Sequence, residues 1–163
     1  MKFEVDVSGY DIFAGGYSIC IANGTGIVKG FKMNQNLISS IQNNWKKGMY
    51  RYKYTKGRKG ILKVRIYSAI IHYLFNAIDK EYKDIELIIC RDFATHENNI
   101  KQNLIYFLER LQGRKINLLK FGKLANNSNA HSYAYLMNKD KHNLLNCYVN
   151  ISLKDIEFYL RKK

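Results

Sequence analysis

The chain has 163 residues, of which 47% are hydrophobic, so its length and composition suit one domain with a substantial core. It contains no run of eighteen apolar residues, which argues against a membrane span, and its acidic N-terminal stretch lacks the apolar block of a signal peptide. The formal net charge is +14 and the three cysteines are isolated from one another, so we expect a cytoplasmic protein without a structural zinc site.

The first part of the chain predicts an antiparallel meander. Apolar and polar side chains alternate over residues 2–8, which predicts a strand with Asp6 on the face opposite Val5. Two more strands are predicted at 17–23 and 26–33, and the glycine-containing stretch between them is typical of a hairpin turn. A carboxylate in the middle of such a strand needs a hydrogen-bond network, a cationic partner or a metal ion to offset its desolvation.

Helices and strands alternate in the rest of the chain. Residues 35–47 predict a short helix, residues of about 45–60 a basic loop or flap, and residues 61–80 a long amphipathic helix. The continuous apolar run 85–90 is typical of a central strand covered on both faces, and another strand is predicted at 116–121. The remaining helices are expected to begin at Thr95 (running to about Leu111), at Ser128 or Asn129, and at Ser152. Three antiparallel strands followed by parallel ones predict an α/β fold with a mixed five-stranded sheet flanked by helices.

The positive charge is concentrated in one part of the chain. No acidic residue lies between Asp11 and Asp79, whereas this interval holds eleven lysines and arginines. Such an imbalance indicates a polyanionic partner, for which nucleic acid is the first candidate, and the region lacks the apolar face of a membrane-surface helix. Lysine and arginine neutralise phosphates, and aromatic rings stack on unpaired bases. The residues predicted to contact nucleic acid are Trp45, Lys46, Lys47, Arg51, Tyr52, Lys53, Lys56, Arg58 and Lys59. The alternative is a solvated basic hairpin whose tyrosines pack on the sheet.

Three short segments carry a resemblance to a known fold. They are VDVSG with Asp6, IELIICRDF with Asp92, and SNAHSYAYLM with His131. Together with the order of elements, they resemble the ribonuclease H-like superfamily, in which the first strand carries an aspartate, the fourth ends in a second acid, and a helix after the fifth supplies an acid or a histidine. An aspartate–aspartate–histidine set is similar to that of the Piwi domain of Argonaute-type nucleases.

The resemblance implies a metal-dependent nuclease. Asp6, Asp92 and His131 would then hold Mg²⁺ or Mn²⁺ and hydrolyse phosphodiester bonds, in RNA of an RNA–DNA hybrid or in a structured nucleic acid, by a two-metal mechanism. We expect the two aspartates near the centres of neighbouring parallel strands, close enough to share an ion.

Two points leave other interpretations of this resemblance open. The family often adds a glutamate on the first helix, but residues 34–78 contain no acid. Substitutes could come from Asp11, Glu97 or Asp140; without one, the alternative is a non-catalytic nucleic-acid-binding module on the same fold. The second point is that each predicted metal ligand also has an ordinary structural role available to it. Asp6 could bond to backbone or to a lysine, Asp92 could be a turn or helix-cap residue, and His131 could be an unremarkable residue in the first turn of a helix.

Overall fold

A mixed five-stranded sheet forms the centre of the protein, for which a computed structural model describes residues 1–162. The strand order is β3-β2-β1-β4-β5; β1 pairs antiparallel with β2 and β2 with β3, whereas β1–β4 and β4–β5 are parallel. The strands are β1 (Lys2–Ser8), β2 (Ser18–Ala22), β3 (Val28–Lys32), β4 (Asp84–Ile89) and β5 (Lys115–Phe121). The predicted α/β class and the mixed five-stranded sheet are therefore confirmed.

Five α-helices flank the sheet, and two of them begin at the serines that the sequence predicts. The Ser128 side chain caps its helix, and Ser152 forms a reciprocal capping box with Asp155. No helix within residues 1–162 is long and apolar enough to cross a membrane. The helices are α1 (Gln35–Lys46), α2 (Lys56–Asn76), α3 (Glu97–Leu104), α4 (Asn129–Lys139) and α5 (Leu153–Phe158).

The two faces of the sheet are covered very unequally. Helices α1, α2, α3 and α5 share one large apolar cluster with side chains of the sheet such as Val5, whereas α4 packs on the opposite face of β1, β2 and β3. Asp6 alternates with Val5 and lies directly across from Cys20, which belongs to the cluster under α4. Asp6 therefore points to the face that α4 covers.

A glycine lets α4 lie close to the sheet. Gly30 of β3 is paired with Cys20 in the same row, and a Cβ atom at Gly30 would overlap the sulfur and terminal methyl group of Met137. Met137 is fully buried, so this contact fixes the height of α4 above β1–β3. The outer edge of β3 is also covered at its middle, because the Gly30 N–H donates to the Cys147 carbonyl (2.9 Å) and the Val149 N–H donates to the Gly30 carbonyl (2.8 Å).

The predicted flap at about 45–60 and the predicted helix at 61–80 are wrong in their boundaries. Helix α2 begins at Lys56 and ends at Asn76, so residues 56–60 form its first turns and only residues 47–55 are a loop. The sequence hides this start, because Gly57 and Gly60 disfavour a helix and its first turn carries no acidic side chain to interact with the helix dipole. Burial of the apolar residues from Leu62 onward stabilises the helix instead.

One further expectation fails around β4. Its run is not covered on both faces: Ile85, Leu87 and Ile89 are buried but Glu86 is exposed, because α4 packs mainly over β1–β3. The helix predicted from Thr95 to about Leu111 has that extent but changes type along its length. A 3₁₀ turn (Ala94–His96) leads directly into α3, and a π-helical segment (Ile105–Leu111) continues it.

Candidate functional site

The three residues predicted as catalytic line one pocket at the carboxyl ends of the parallel strands. Asp6 comes from β1, Asp92 from the bend after β4, and His131 from the first turn of α4. The pocket has a volume of about 380 Å³. Its other walls are Val7, Cys90, Arg91, Gly122, Lys123, Leu124 and Asn126. The carboxyl edge of parallel strands is where α/β folds commonly hold their ligands.

Asp6 and His131 form a hydrogen-bonded pair. Only 7% of Asp6 is exposed, and its Oδ2 lies 2.8 Å from His131 Nδ1 while its Oδ1 accepts the N–H of Val7 (2.9 Å). An ionised carboxylate can only accept, so the proton of a neutral His131 belongs on Nδ1 and its Nε2 is left as an acceptor. The His131 side chain is half exposed, which leaves that nitrogen accessible from the pocket.

Asp92 is held by a buried tyrosine. The Tyr17 hydroxyl, which lies in a fully buried side chain, donates to Asp92 Oδ2 at 2.5 Å. Burial raises the pKa of Asp92, and the negative charges of Asp11 and Asp6 raise it further, while the Tyr17 hydrogen bond acts in the opposite direction. The carboxylates are thus close enough to repel one another, which is the electrostatic condition under which a cation binds well.

The position beside Asp6 on the neighbouring strand is a cysteine rather than the second aspartate. β4 ends at Ile89, and the ladder continues only through the Cys90 N–H, which donates to the Val5 carbonyl (3.0 Å). The expectation that both aspartates lie near strand centres is therefore wrong for Asp92. Burial raises the pKa of the Cys90 thiol and the Asp6 charge raises it further, so Cys90 stays a protonated thiol rather than a nucleophilic thiolate.

Two cations that the sequence interpretation missed also line the pocket. Arg91 immediately precedes Asp92, and Lys123 follows β5 by two residues. Ligands of α/β folds commonly bind at the carboxyl ends of parallel strands, which is why the residues after β4 are candidates. The same rule, applied to the end of β5, would have identified Lys123. Tyr17 was missed because nothing local in the sequence connects it to Asp92, 75 positions away.

None of the three substitute acids lines the pocket, and each has other partners. Asp11 forms an ion pair with Lys63 (2.7 Å), and although burial opposes it, the hydrogen bonds from Lys63 and from the Phe13 N–H lower the pKa of Asp11. Glu97 lies 3.6 Å from Arg91. Asp140 organises the loop after α4 by accepting three hydrogen bonds, from the N–H groups of Leu144 and Leu145 and from the Tyr148 hydroxyl.

The donor chemistry fits a divalent ion, but the first coordination shell is sparse. Asp6 and Asp92 offer the carboxylate oxygens that Mg²⁺ and Mn²⁺ prefer. Within residues 1–162, however, no three His, Cys, Asp or Glu side chains are grouped closely enough to hold an ion by themselves. Mg²⁺ in nucleotide-processing sites is often bound by one or two carboxylates plus substrate phosphate and waters, and two carboxylates at this pocket match that type.

The basic segment presents its charges outward but buries its largest ring. All seven predicted phosphate contacts are exposed, on the end of α1, the following loop and the first turn of α2; they are Lys46, Lys47, Arg51, Lys53, Lys56, Arg58 and Lys59. Trp45 is only 4% exposed, and its indole N–H donates to the carbonyls of Tyr52 (3.0 Å) and Lys53 (3.2 Å). The prediction that Trp45 contacts nucleic acid is therefore wrong, because its ring anchors the loop. The ring of Tyr52 is half-buried, and that of Tyr54 is exposed.

Comparison with known proteins adds no assignment, because no family model, no curated protein and no solved structure matches this chain.

Proposed function

We propose that this protein is a metal-dependent nuclease of ribonuclease H-like fold that hydrolyses phosphodiester bonds at the pocket of Asp6, Asp92 and His131. One observation carries the proposal: three residues from separate parts of the chain, each expected from the resemblance, line the same pocket. The strand order β3-β2-β1-β4-β5 with two parallel pairs supports it, because this arrangement brings the ends of β1 and β4 together.

The side chains of the pocket suit a phosphodiester. Arg91 and Lys123 offer positive charge to the phosphate oxygens. Asp6 orients His131 through Nδ1, so Nε2 can accept a proton from an attacking water or, once protonated, return it to the leaving oxygen. A divalent ion bound with Asp6 and Asp92 would neutralise the phosphate and lower the pKa of a water ligand.

The test is a cleavage assay on four labelled substrates: single-stranded RNA, an RNA–DNA hybrid, duplex DNA and a four-way DNA junction. Each is incubated with Mg²⁺, Mn²⁺ or EDTA. We expect metal-dependent cleavage of at least one substrate, and a loss of at least about a hundredfold in Asp6→Asn and Asp92→Asn with substrate binding retained.

Glu4→Gln is the matched control for Asp6→Asn. Glu4 lies two residues earlier on the same strand and the same sheet face, opposite Ala22, but does not line the pocket. The Glu4→Gln variant should cleave at the wild-type rate. A rate that is equal in all three variants would assign any observed cleavage to a contaminant or to another site, and would refute the proposal.

The second candidate is a non-catalytic nucleic-acid-binding module. The observation that favours it is the absence of three grouped metal ligands in residues 1–162, together with the pairing of Asp6 and His131 with each other. It predicts tight, salt-sensitive binding with no cleavage in any metal. It also predicts that Mn²⁺, titrated into the protein without nucleic acid, gives the same heat of binding in the wild type and in Asp6→Asn.

A further inference from the structure

A second cavity, separate from the Asp6 pocket, lies on the other side of the sheet between the middle of α2, the π-helical segment and the end of α5. Its volume is about 600 Å³, and it shares no residue with the first. Four cationic side chains line it and, within residues 1–162, no acidic one does. The cations are Arg51, Arg65, Arg161 and Lys162.

Arg65 is a buried, fixed guanidinium at the base of this cavity. Only 9% of Arg65 is exposed; its Nε donates to the Tyr159 carbonyl (3.1 Å) and its Nη1 donates to Asn103 Oδ1 (2.7 Å). The guanidinium carbon lies 4.6 Å from the centre of the Phe107 ring, which holds the group in plane. Among the described residues, Nη2 of Arg65 has no hydrogen-bond partner, so its N–H groups remain able to donate to a ligand.

The positive charge here is only partly compensated. Burial lowers the pKa of Arg65, and the positive charge of Arg51 lowers it further. Arg161 pairs with Glu157 (3.2 Å), but this carboxylate is buried and also accepts hydrogen bonds from Tyr50 (2.6 Å) and Asn44 (2.8 Å). An anion entering the cavity would relieve the repulsion among the remaining cations.

Aromatic rings stand beside the cations. Phe158 is 73% exposed and Tyr106 is 36% exposed, although both are large apolar side chains that usually avoid water. Both line the cavity with Tyr159. Exposed rings next to guanidinium groups form the combination that stacks a nucleobase while holding its phosphate.

We propose that this cavity binds a nucleotide phosphate, with the phosphate on the Arg51–Arg65–Arg161 cluster and the base stacked on Phe158, the more exposed of the two rings. The shared chemistry is a phosphate joined through a pentose to an aromatic base, which a free nucleotide or the terminal nucleotide of a strand could supply. The site is independent of the Asp6 pocket, so it stands or falls separately from nuclease activity.

The experiment measures binding by calorimetry in low salt. The probes are a nucleoside 5′-monophosphate, the matching nucleoside, and a short single-stranded oligonucleotide with and without a 5′-phosphate. We expect the monophosphate to bind at least about tenfold more tightly than the nucleoside. Arg51→Gln and Arg65→Lys should each weaken phosphate-dependent binding about tenfold, and Phe158→Ala should weaken it at least about fivefold.

Lys141→Gln is the matched control, because Lys141 is exposed and lies outside both cavities. Circular dichroism and urea unfolding verify that Arg65→Lys folds, and Arg51 and Phe158 are exposed enough for their variants to fold normally. Tighter binding of the phosphorylated oligonucleotide than of the monophosphate assigns the site to a strand end, whereas equal affinity assigns it to a free nucleotide.

Equal binding of phosphorylated and unphosphorylated probes would overturn the proposal. So would a loss in Arg51→Gln no greater than in Lys141→Gln, because binding would then follow net charge alone. Tighter binding of an acidic peptide than of any phosphorylated probe would also overturn it, by assigning the cluster to carboxylates.

Discussion

Replacing Arg114 should cost this protein a large share of its stability. Arg114 is 3% exposed, and its guanidinium donates five hydrogen bonds near the end of α2. Four of them go to backbone carbonyls, those of Phe75 (3.0 Å), Ile78 (2.9 Å), Asp79 (3.3 Å) and Tyr82 (2.7 Å), and the fifth goes to a glutamine side chain. Of these carbonyls only that of Phe75 belongs to the last turn of α2, and the others lie in the segment that follows, so this one side chain ties the end of α2 to the chain leading into β4.

The magnitude follows from those contacts. In Arg114→Met the Ile78 carbonyl loses its bond in buried surroundings, and leaving it unsatisfied costs about 1–3 kcal/mol. The carbonyls of Phe75 and Asp79 keep backbone bonds from the N–H groups of Ile78 (3.0 Å) and Tyr82 (3.3 Å), so the loss of their bonds to Arg114 contributes less. We expect the free energy of unfolding to fall by about 2–4 kcal/mol, which lowers the urea midpoint by about 1–2 M at an ordinary m-value.

Arg110→Met is the control, because it is the same substitution at an exposed position four residues earlier. Its midpoint should stay close to that of the wild type. Arg114→Lys should be intermediate, because an ammonium keeps the charge but cannot reach the same set of carbonyls. If Arg114→Met lost no more than about 1 kcal/mol relative to Arg110→Met, the reasoning from buried carbonyls would be wrong.

Three further changes test other parts of the structure. Tyr17→Phe removes the hydroxyl that lowers the pKa of Asp92, so the pKa of that carboxyl should rise further in a ¹³C NMR titration. Burial lowers the pKa of His72 to about 4, below its ordinary value, so protonating the ring opposes folding. Stability should be full above pH of about 6.5 and fall by at most about 3 kcal/mol as the pH drops toward 4, and His72→Gln should flatten that decline in urea titrations. Gly30→Ala places a methyl group against Met137 and should reduce the free energy of unfolding by about 1–3 kcal/mol. In the Gly30→Ala/Met137→Ala double variant the loss should be smaller than the sum of the losses in the two single variants, because the clash is then removed.

Each of these has a clear contrary result. An Asp92 titration that is unchanged in Tyr17→Phe would mean that the hydroxyl does not stabilise the ionised carboxylate. A wild-type acid profile in His72→Gln would assign the decline to other groups. Additive losses in the double variant would show that Gly30 and Met137 do not contact each other.

Local patterns predict most of the sheet, and the resemblance to a known fold adds the three residues Asp6, Asp92 and His131 that line the candidate site. Period-two alternation identifies β1 and puts Asp6 on the face away from the main core, and the serine caps place the starts of α4 and α5. The row formed by Asp6, Cys20 and Gly30, and the closeness of His131 to Asp6, depend on pairing between distant segments. No short-range pattern contains that information.

The wrong predictions share a physical cause. Helix α2 begins with two glycines and no acid in its first turn, and its stability comes from tertiary burial that begins at Leu62. Trp45 lies among lysines and tyrosines, which favours an exposed binding residue, yet its indole N–H bonds to the loop that follows α1. In both cases tertiary packing between distant segments overrides the preference of the local sequence.

The covered outer edge of β3 bears on how the protein avoids self-association. An open strand edge exposes unpaired N–H and C=O groups to which another copy can add a strand. On β3 the bonds of Gly30 with Cys147 and Val149 occupy these groups at the middle residue of the edge. The opposite edge, β5, instead carries Lys115 and Lys120, whose charges repel an incoming copy. Lysines outside the basic segment thus act against aggregation at this edge of the sheet.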